Sequence, residues 1–448
     1  MMTWRNLTCL LLALLTCSVA RTQSLEAGVA RVDITPPLGL HLQGYPGSGR
    51  TATGVRDPLC ARVLVLRVGA LQLALVDVDL IAPFEPTYME RLREAVKADV
   101  KEILVTAIHT HSGPALIPGS ASPAEWEAAA VDKIAEAVHE AASRRVAARL
   151  GVGYGLAYIG HNRLRHNHDG SVTWFEKNPN GVPTSPIDPT IAVIRVDDQN
   201  GQPLAILVNY ACHPVIYGPD NQLYSADFPG VMTRVVDETF GGKTLTFFLQ
   251  GADGDINPLN AVTPLPEGAA KLCEGAGTQL GLVAARVAQQ IHTVVDATPS
   301  LQFQTDRIFF GPRWDGAKWL AADPRNAQAI AAKTKASYEL PVTTVLINKR
   351  IAILTMPGEP FVDFQMLWRE RCPVSDCLFL GYTNGYYGYF PTIGAATWGG
   401  YGAAHPSTWI EVGAGERMVD RGIIRIHEML GELRPVPLDE NEAPPSVK

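Results

Sequence analysis

Five short apolar runs limit what this chain can fold into. "EILVTAI", "LAILVNYAC", "LTFFL", "RIAILTM" and "CLFLGY" each have the length of one strand, and each is too continuously apolar to keep one face in water. Every run hands over at its C-terminal end to polar or turn-forming residues. In order these are His109 and His111; His213; Gln250, Asp253, Asp255 and Asn257; Pro357, Gly358 and Glu359; and Asn384, Tyr386 and Tyr389. Helical patterns separate the runs. In open α/β sheets the ligand crevice lies beyond the carboxyl ends of the strands. The expectation is therefore an α/β fold: one large domain over residues 23–435, with a buried mixed sheet flanked by helices. Residues remote in sequence should converge on one rim.

Local signals agree. "VLVLRVGALQLALVDVDL", Val63 to Leu80, reads as a hairpin turning at Gly69-Ala70. "SPAEWEAAAVDKIAEAVHEAASRR" is the clearest helix, with Ser122 as cap, Pro123 at the first position and Glu125 completing a capping box. Its Trp126, Ala130, Ile134 and Val138 recur every four residues and should face the core. Residues 1–20 read as a secretory signal peptide, with an arginine, an apolar run and small residues ending at Ala20, which predicts a secreted or periplasmic protein. Residues 436–448 read as a flexible tail. Net charge is −7 with no long run of one sign, which argues against nucleic acid and anionic membrane as partners; no other stretch is long and apolar enough for a transmembrane segment.

The two strand ends carrying histidine, with a carboxylate at a third, form the chemical signal. A structural histidine in a polar turn is the bland reading of either alone. Together, two imidazoles and a carboxylate suit zinc with one position open. The helical HExxH pattern is absent. Of the cysteines, Cys60, Cys212, Cys273, Cys372 and Cys377 lie beyond the leader, and no CxxC pair offers a thiolate zinc site. Cys372 and Cys377 flank "PVSD" and are placed to close a small loop after export.

Six segments, in order, carry a resemblance: "GVARVDITPPLG", "AIHTHSGP", "YACHPVIYGPDNQLYSADFPG", "QGADGDINP", "MPGEPF" and "NGYYGYFPT". They resemble motifs of the neutral/alkaline (non-lysosomal) ceramidases. Carried onto matching positions, the resemblance implies zinc ligands at His109, His213, Glu359 and Tyr389. It makes His111 a proton carrier rather than a ligand. It makes Arg163, in "GHNRLR", a group that holds the polar part of a substrate. It makes Tyr401 a stabiliser of charge on the scissile carbonyl.

The chain also departs from the pattern. Asn257 stands where the family has serine, and asparagine cannot serve as the nucleophile. Its expected role is hydrogen bonding near the metal, with water as the attacking group. "IGAATWGGYGAAHPST" replaces a motif that shapes the pocket mouth, and the family's C-terminal immunoglobulin-like domain is expected to be missing. Tyr386 and Tyr387 are expected as wall residues, His166 and His168 as solvated. Asp77 and Asp79 are expected at the same rim or capping a loop. The "GADGDINP" aspartates lack the spacing of a calcium loop. The implied function is zinc-dependent hydrolysis of an amide bond, in an N-acyl lipid such as ceramide or a related small molecule. An ester or carbohydrate-linked substrate is the alternative within enzymes. A secreted binding protein with a structural metal is the alternative outside them.

Overall fold

The computed structural model describes residues 23–434 apart from residue 46 and residues 118–122. The expected leader, the tail and the Ser122 cap lie outside the described residues. No helix among the described residues is long and apolar enough to cross a membrane.

All five apolar runs are strands, but they fall into two sheets rather than one. The larger has eight strands: β1 (Leu25–Asp33), β2 (Cys60–Val68), β3 (Leu71–Val78), β4 (Glu102–Ala107), β5 (Val146–Leu156), β6 (Thr190–Asp198), β7 (Pro203–Tyr210) and β8 (Leu245–Gln250). Their spatial order is β8-β7-β6-β5-β1-β2-β3-β4. The outermost pair at each edge is parallel and the rest are antiparallel, so the sheet is mixed as expected. β2 and β3 form the predicted hairpin, with Val68 opposite Leu71 across Gly69-Ala70. The smaller sheet has four strands: β9 (Leu301–Phe310), β10 (Tyr338–Ile347), β11 (Ile351–Thr355) and β13 (Asp376–Leu380). Between its last two strands come β12 (Glu359–Pro360) and then the helix over Val362–Arg371.

Burial on both faces explains the unbroken apolar runs. Along β2, Val63 and Val65 pack toward the helix Ala124–Ser143, where Trp126, Ala130, Ile134 and Val138 are all buried. Leu64 and Leu66 point the other way and meet Val345, Ile353 and Leu378 of the second sheet. The helix begins at Ala124, so Pro123 sits just before it rather than inside it. Its carbonyl accepts the Glu127 N–H at 3.0 Å, and a residue without N–H costs nothing at that place.

The large sheet curls until its edges meet. Phe248 on β8 donates its N–H to Asp77 at 3.1 Å, and Gln250 donates from Nε2 to the Ile108 carbonyl at 2.9 Å. Asp77 and Asp79 are thus not at the rim of the histidines, as one sequence reading had it. They hold Arg62, at 3.5 and 2.7 Å, inside the closure of the sheet. The free edge of β4 is covered by Asn384, which accepts the Val105 N–H at 2.9 Å and donates to the Ile103 carbonyl at 3.1 Å. That cover is what docks the second sheet beside His109.

Asn384 sits in left-handed backbone with φ of 60°. Asn384→Ala leaves a buried N–H and a buried carbonyl unpaired and removes the residue type that tolerates that conformation. Unfolding free energy should fall by about 2–5 kcal/mol. Denaturant unfolding of the two proteins checks it, and equal midpoints would mean the cover is not structural.

Candidate metal centre

The closure of the sheet brings two strand ends together. His109 follows β4, and its backbone lies in the left-handed region with φ of 71°, a conformation uncommon for a side chain of this size. His213 follows β7. Between them comes Glu359 from β12, which pairs in parallel with β14 (Tyr389–Phe390) so that Glu359 and Tyr389 stand side by side. Gly254 makes the approach possible, because a Cβ there would lie 2.5 Å from the Glu359 carbonyl oxygen.

The hydrogen bonds fix both imidazoles in one tautomer. His109 Nδ1 lies 2.6 Å from the Ile81 carbonyl, and His213 Nδ1 lies 2.7 Å from that of Asp253. A carbonyl only accepts, so both Nδ1 atoms carry the proton and both Nε2 atoms are bare lone pairs. Those lone pairs face Glu359 Oε2, at 3.5 Å from His109 and 3.2 Å from His213. Burial pushes the His213 imidazole down to about 3, so it is neutral. Burial alone would raise the Glu359 carboxyl, and the hydrogen bond donated by the Tyr386 phenol opposes that. Three electron-rich atoms thus converge from three buried residues, an arrangement that calls for a cation between them. His111 adds a further nitrogen, with its Nε2 3.2 Å from His109 Nε2, and the three histidines are grouped tightly enough to hold a metal ion. The donor set fits a divalent metal with nitrogen and oxygen ligands.

Residues 25–296 match the family model described as neutral/alkaline non-lysosomal ceramidase, N-terminal. The chain belongs to this family. It is 26% identical over 276 residues to a neutral ceramidase of Pseudomonas aeruginosa and 26% identical over 267 residues to one of Mycobacterium tuberculosis. These matches cover 56% and 52% of this chain but 40% of each relative. The crystal structure of the Pseudomonas aeruginosa neutral ceramidase superposes with a TM-score of 0.70 at 18% identity, covering 94% of this chain and 76% of that one. A ceramidase complexed with C2 gives 0.72 at 17% identity, covering 94% and 77%. The fold is shared.

The other expected site residues gather around the same cavity, which encloses about 430 Å³. Its wall includes His109, His111, Glu359, Tyr389 and Tyr401. Tyr389 accepts a hydrogen bond from Arg163 at 3.0 Å, and burial drives its phenol well above the ordinary range. Arg163 also donates to Asn257 Oδ1 at 3.0 Å and to the Gly254 carbonyl at 2.6 Å, with Tyr401 stacked 5.1 Å from its guanidinium. Asn257 spends its own amide on the Glu176 carbonyl at 2.8 Å and sits behind Arg163, not in the cavity wall. His161 is bonded to the Phe175 carbonyl, His166 lies against Trp398, and His168 is exposed. All five described cysteines are free thiols, Cys372 and Cys377 among them.

Three residues do more than the sequence reading gave them. Tyr386, expected only as a wall, donates its phenol hydrogen to Glu359 Oε1. Tyr382 stacks on the His109 ring at 4.2 Å and donates to Asp253 at 2.5 Å, while Asp253 in turn lies 3.2 Å from His213 Nδ1. Tyr386 and Tyr382 hold the donors of the centre in place. Outer hydrogen bonds of this kind are typically worth about 10–100-fold in metal affinity. Tyr386→Phe should weaken metal binding by about that factor, read with a divalent ion in competition against a chromophoric chelator. Unchanged affinity would mean the phenol serves packing alone.

Proposed function

We propose that the chain is a zinc-dependent hydrolase of an amide bond in an N-acyl compound, ceramidase-like in chemistry and exported from the cell. The observation that carries this is the pair of bare imidazole nitrogens aimed at one ionised carboxylate beside a substrate-sized cavity. In this reading His109, His213, Glu359 and Tyr389 hold the metal. Bound there, zinc supplies a Lewis acid for the amide carbonyl and activates water at neutral pH.

His111 is the proton carrier. A ligating histidine nearly always donates its other ring N–H to a partner. His109 and His213 do so; His111 Nδ1 has none. The ring is instead held by packing, edge-on to Tyr45 at 5.2 Å and against Gly44, where any Cβ would collide with it at 2.4 Å. Burial and the two neighbouring imidazoles push it well below its usual range, so it waits neutral and able to accept a proton from the attacking water. Passing that proton to the leaving amine completes the transfer. Arg163 and Tyr401 face the carbonyl oxygen as donors. Asn257 fixes the Arg163 guanidinium and takes no part in bond making.

The two histidines should separate cleanly. His213→Ala loses most of the zinc, because one of the few strong donors is gone. His111→Ala keeps the zinc and loses about 10²–10⁴-fold in turnover. Elemental analysis beside an activity assay reads both, and parallel loss of metal in His111→Ala would make it a ligand. With no serine at position 257, no acyl–enzyme should form. Rapid-quench measurements on the best amide substrate should therefore show no burst of first product, and an acylated protein in the mass spectrum would sink the water mechanism.

A further inference from the structure

The wall of the cavity beside the candidate metal centre carries two cationic side chains, Arg50 and Lys333, against one carboxylate among the described residues. Among the described residues Glu359 is the one carboxylate in its wall, and it is already engaged by His109, His213 and Tyr386. Two cations share that wall. Arg50 is buried, lies 4.7 Å from the centre of the Tyr45 ring, and donates to the carbonyl oxygens of Asn221, Gln43 and His111 at 3.2, 2.7 and 2.8 Å. Its Nε has no partner. Lys333 is half-buried at the end of the short helix Ala327–Ala332, with its ammonium 5.5 Å from the centre of the Trp409 ring. Its surroundings offer no negative charge: burial lowers it and no carboxylate pulls it back. The nearby His405 is itself pushed down by burial, with Lys333 and Arg163 adding to the effect, so it stays neutral.

A lysine half out of water and without an anion pays a desolvation cost that natural proteins rarely leave uncompensated. Cationic walls of low dielectric gather anions. The cavity is also small, near the lower end of the range for small-molecule sites.

We propose that Lys333, set over Trp409 at the wall of the metal cavity that Arg50 also lines, is an anion-binding subsite, and that the preferred substrate is a compact amide bearing a carboxylate. This rests on the hydrolase reading for the word substrate, but not for the subsite. The carboxylate sits on either side of the scissile bond, as in an N-acylglycine or an N-alkylsuccinamic acid. Lys333 determines specificity and touches no reacting atom.

An uncleavable γ-keto alkanoic acid tests it, because replacing the amide N–H by CH₂ in either compound type gives that same skeleton. Its affinity, by calorimetry on the zinc-loaded full chain, is compared with that of its primary amide, which has the same shape and no charge. Hydrogen bonds to a charged group predict a preference for the acid of about 10- to 100-fold from Lys333. The acid-to-amide ratio should fall by that factor in Lys333→Met, be restored in large part by Lys333→Arg, and fall further in Lys333→Glu. Comparing ratios cancels the attraction of the metal for the carboxylate and any general loss of fold. A ratio that is the same in wild type, Lys333→Met and Lys333→Glu overturns the subsite. Turnover of N-octanoylglycine is measured in parallel. A Lys333-dependent ratio with no cleavage of any amide would defeat the hydrolase reading and leave the subsite standing. Cleavage with a ratio indifferent to Lys333 would do the reverse.

Discussion

Two neutral imidazoles aimed at one carboxylate is an arrangement that repels itself. His109 and His213 each give their Nδ1 proton to a carbonyl, so what they present to Glu359 is electron density. In water such atoms would be solvated; here all three residues are buried. The surrounding structure holds them there against that repulsion. It does so with a left-handed turn at His109, a glycine at 254 that lets two chains touch, and phenols from Tyr382 and Tyr386 that brace the ring and the carboxylate. Without a cation this is stored electrostatic strain. With one, each of those braces becomes a restraint on a ligand.

Much of this was legible in the chain. The apolar runs named the strands because burial on both faces leaves no polar alternation, and the residue after each run named the rim. The hairpin at Gly69-Ala70 and the buried face of the helix Ala124–Ser143 followed from periodicity alone. Other features had no such signal. A continuous run says that a strand is covered twice but not by what, so the second sheet was hidden. Asp77 and Asp79 read as rim residues because they end a strand; the curl of the sheet, a long-range property, turned them toward Arg62 instead. Tyr386 read as a wall residue and Tyr382 carried no expectation, because a tyrosine's partner depends on a contact the sequence does not encode.

The cavity shows how one centre can be kept while its selectivity drifts. The donors come from strand ends and from β12, elements pinned on several sides by backbone hydrogen bonds. Lys333 and Trp409 come from connecting segments outside the strands of either sheet, and Lys333 follows a helix of only six residues. Changes in such segments alter what enters without moving what reacts.

The candidate metal donors are also spread along the chain in a telling order. His109 and His213 belong to the first sheet; Glu359 lies 146 residues beyond His213 and enters only when the second sheet is docked. In a polypeptide made from its N-terminus, both imidazoles precede Glu359, and the three donors come together only when the second sheet packs on the first. A metal held by these residues would therefore be captured only after the second sheet has docked on the first.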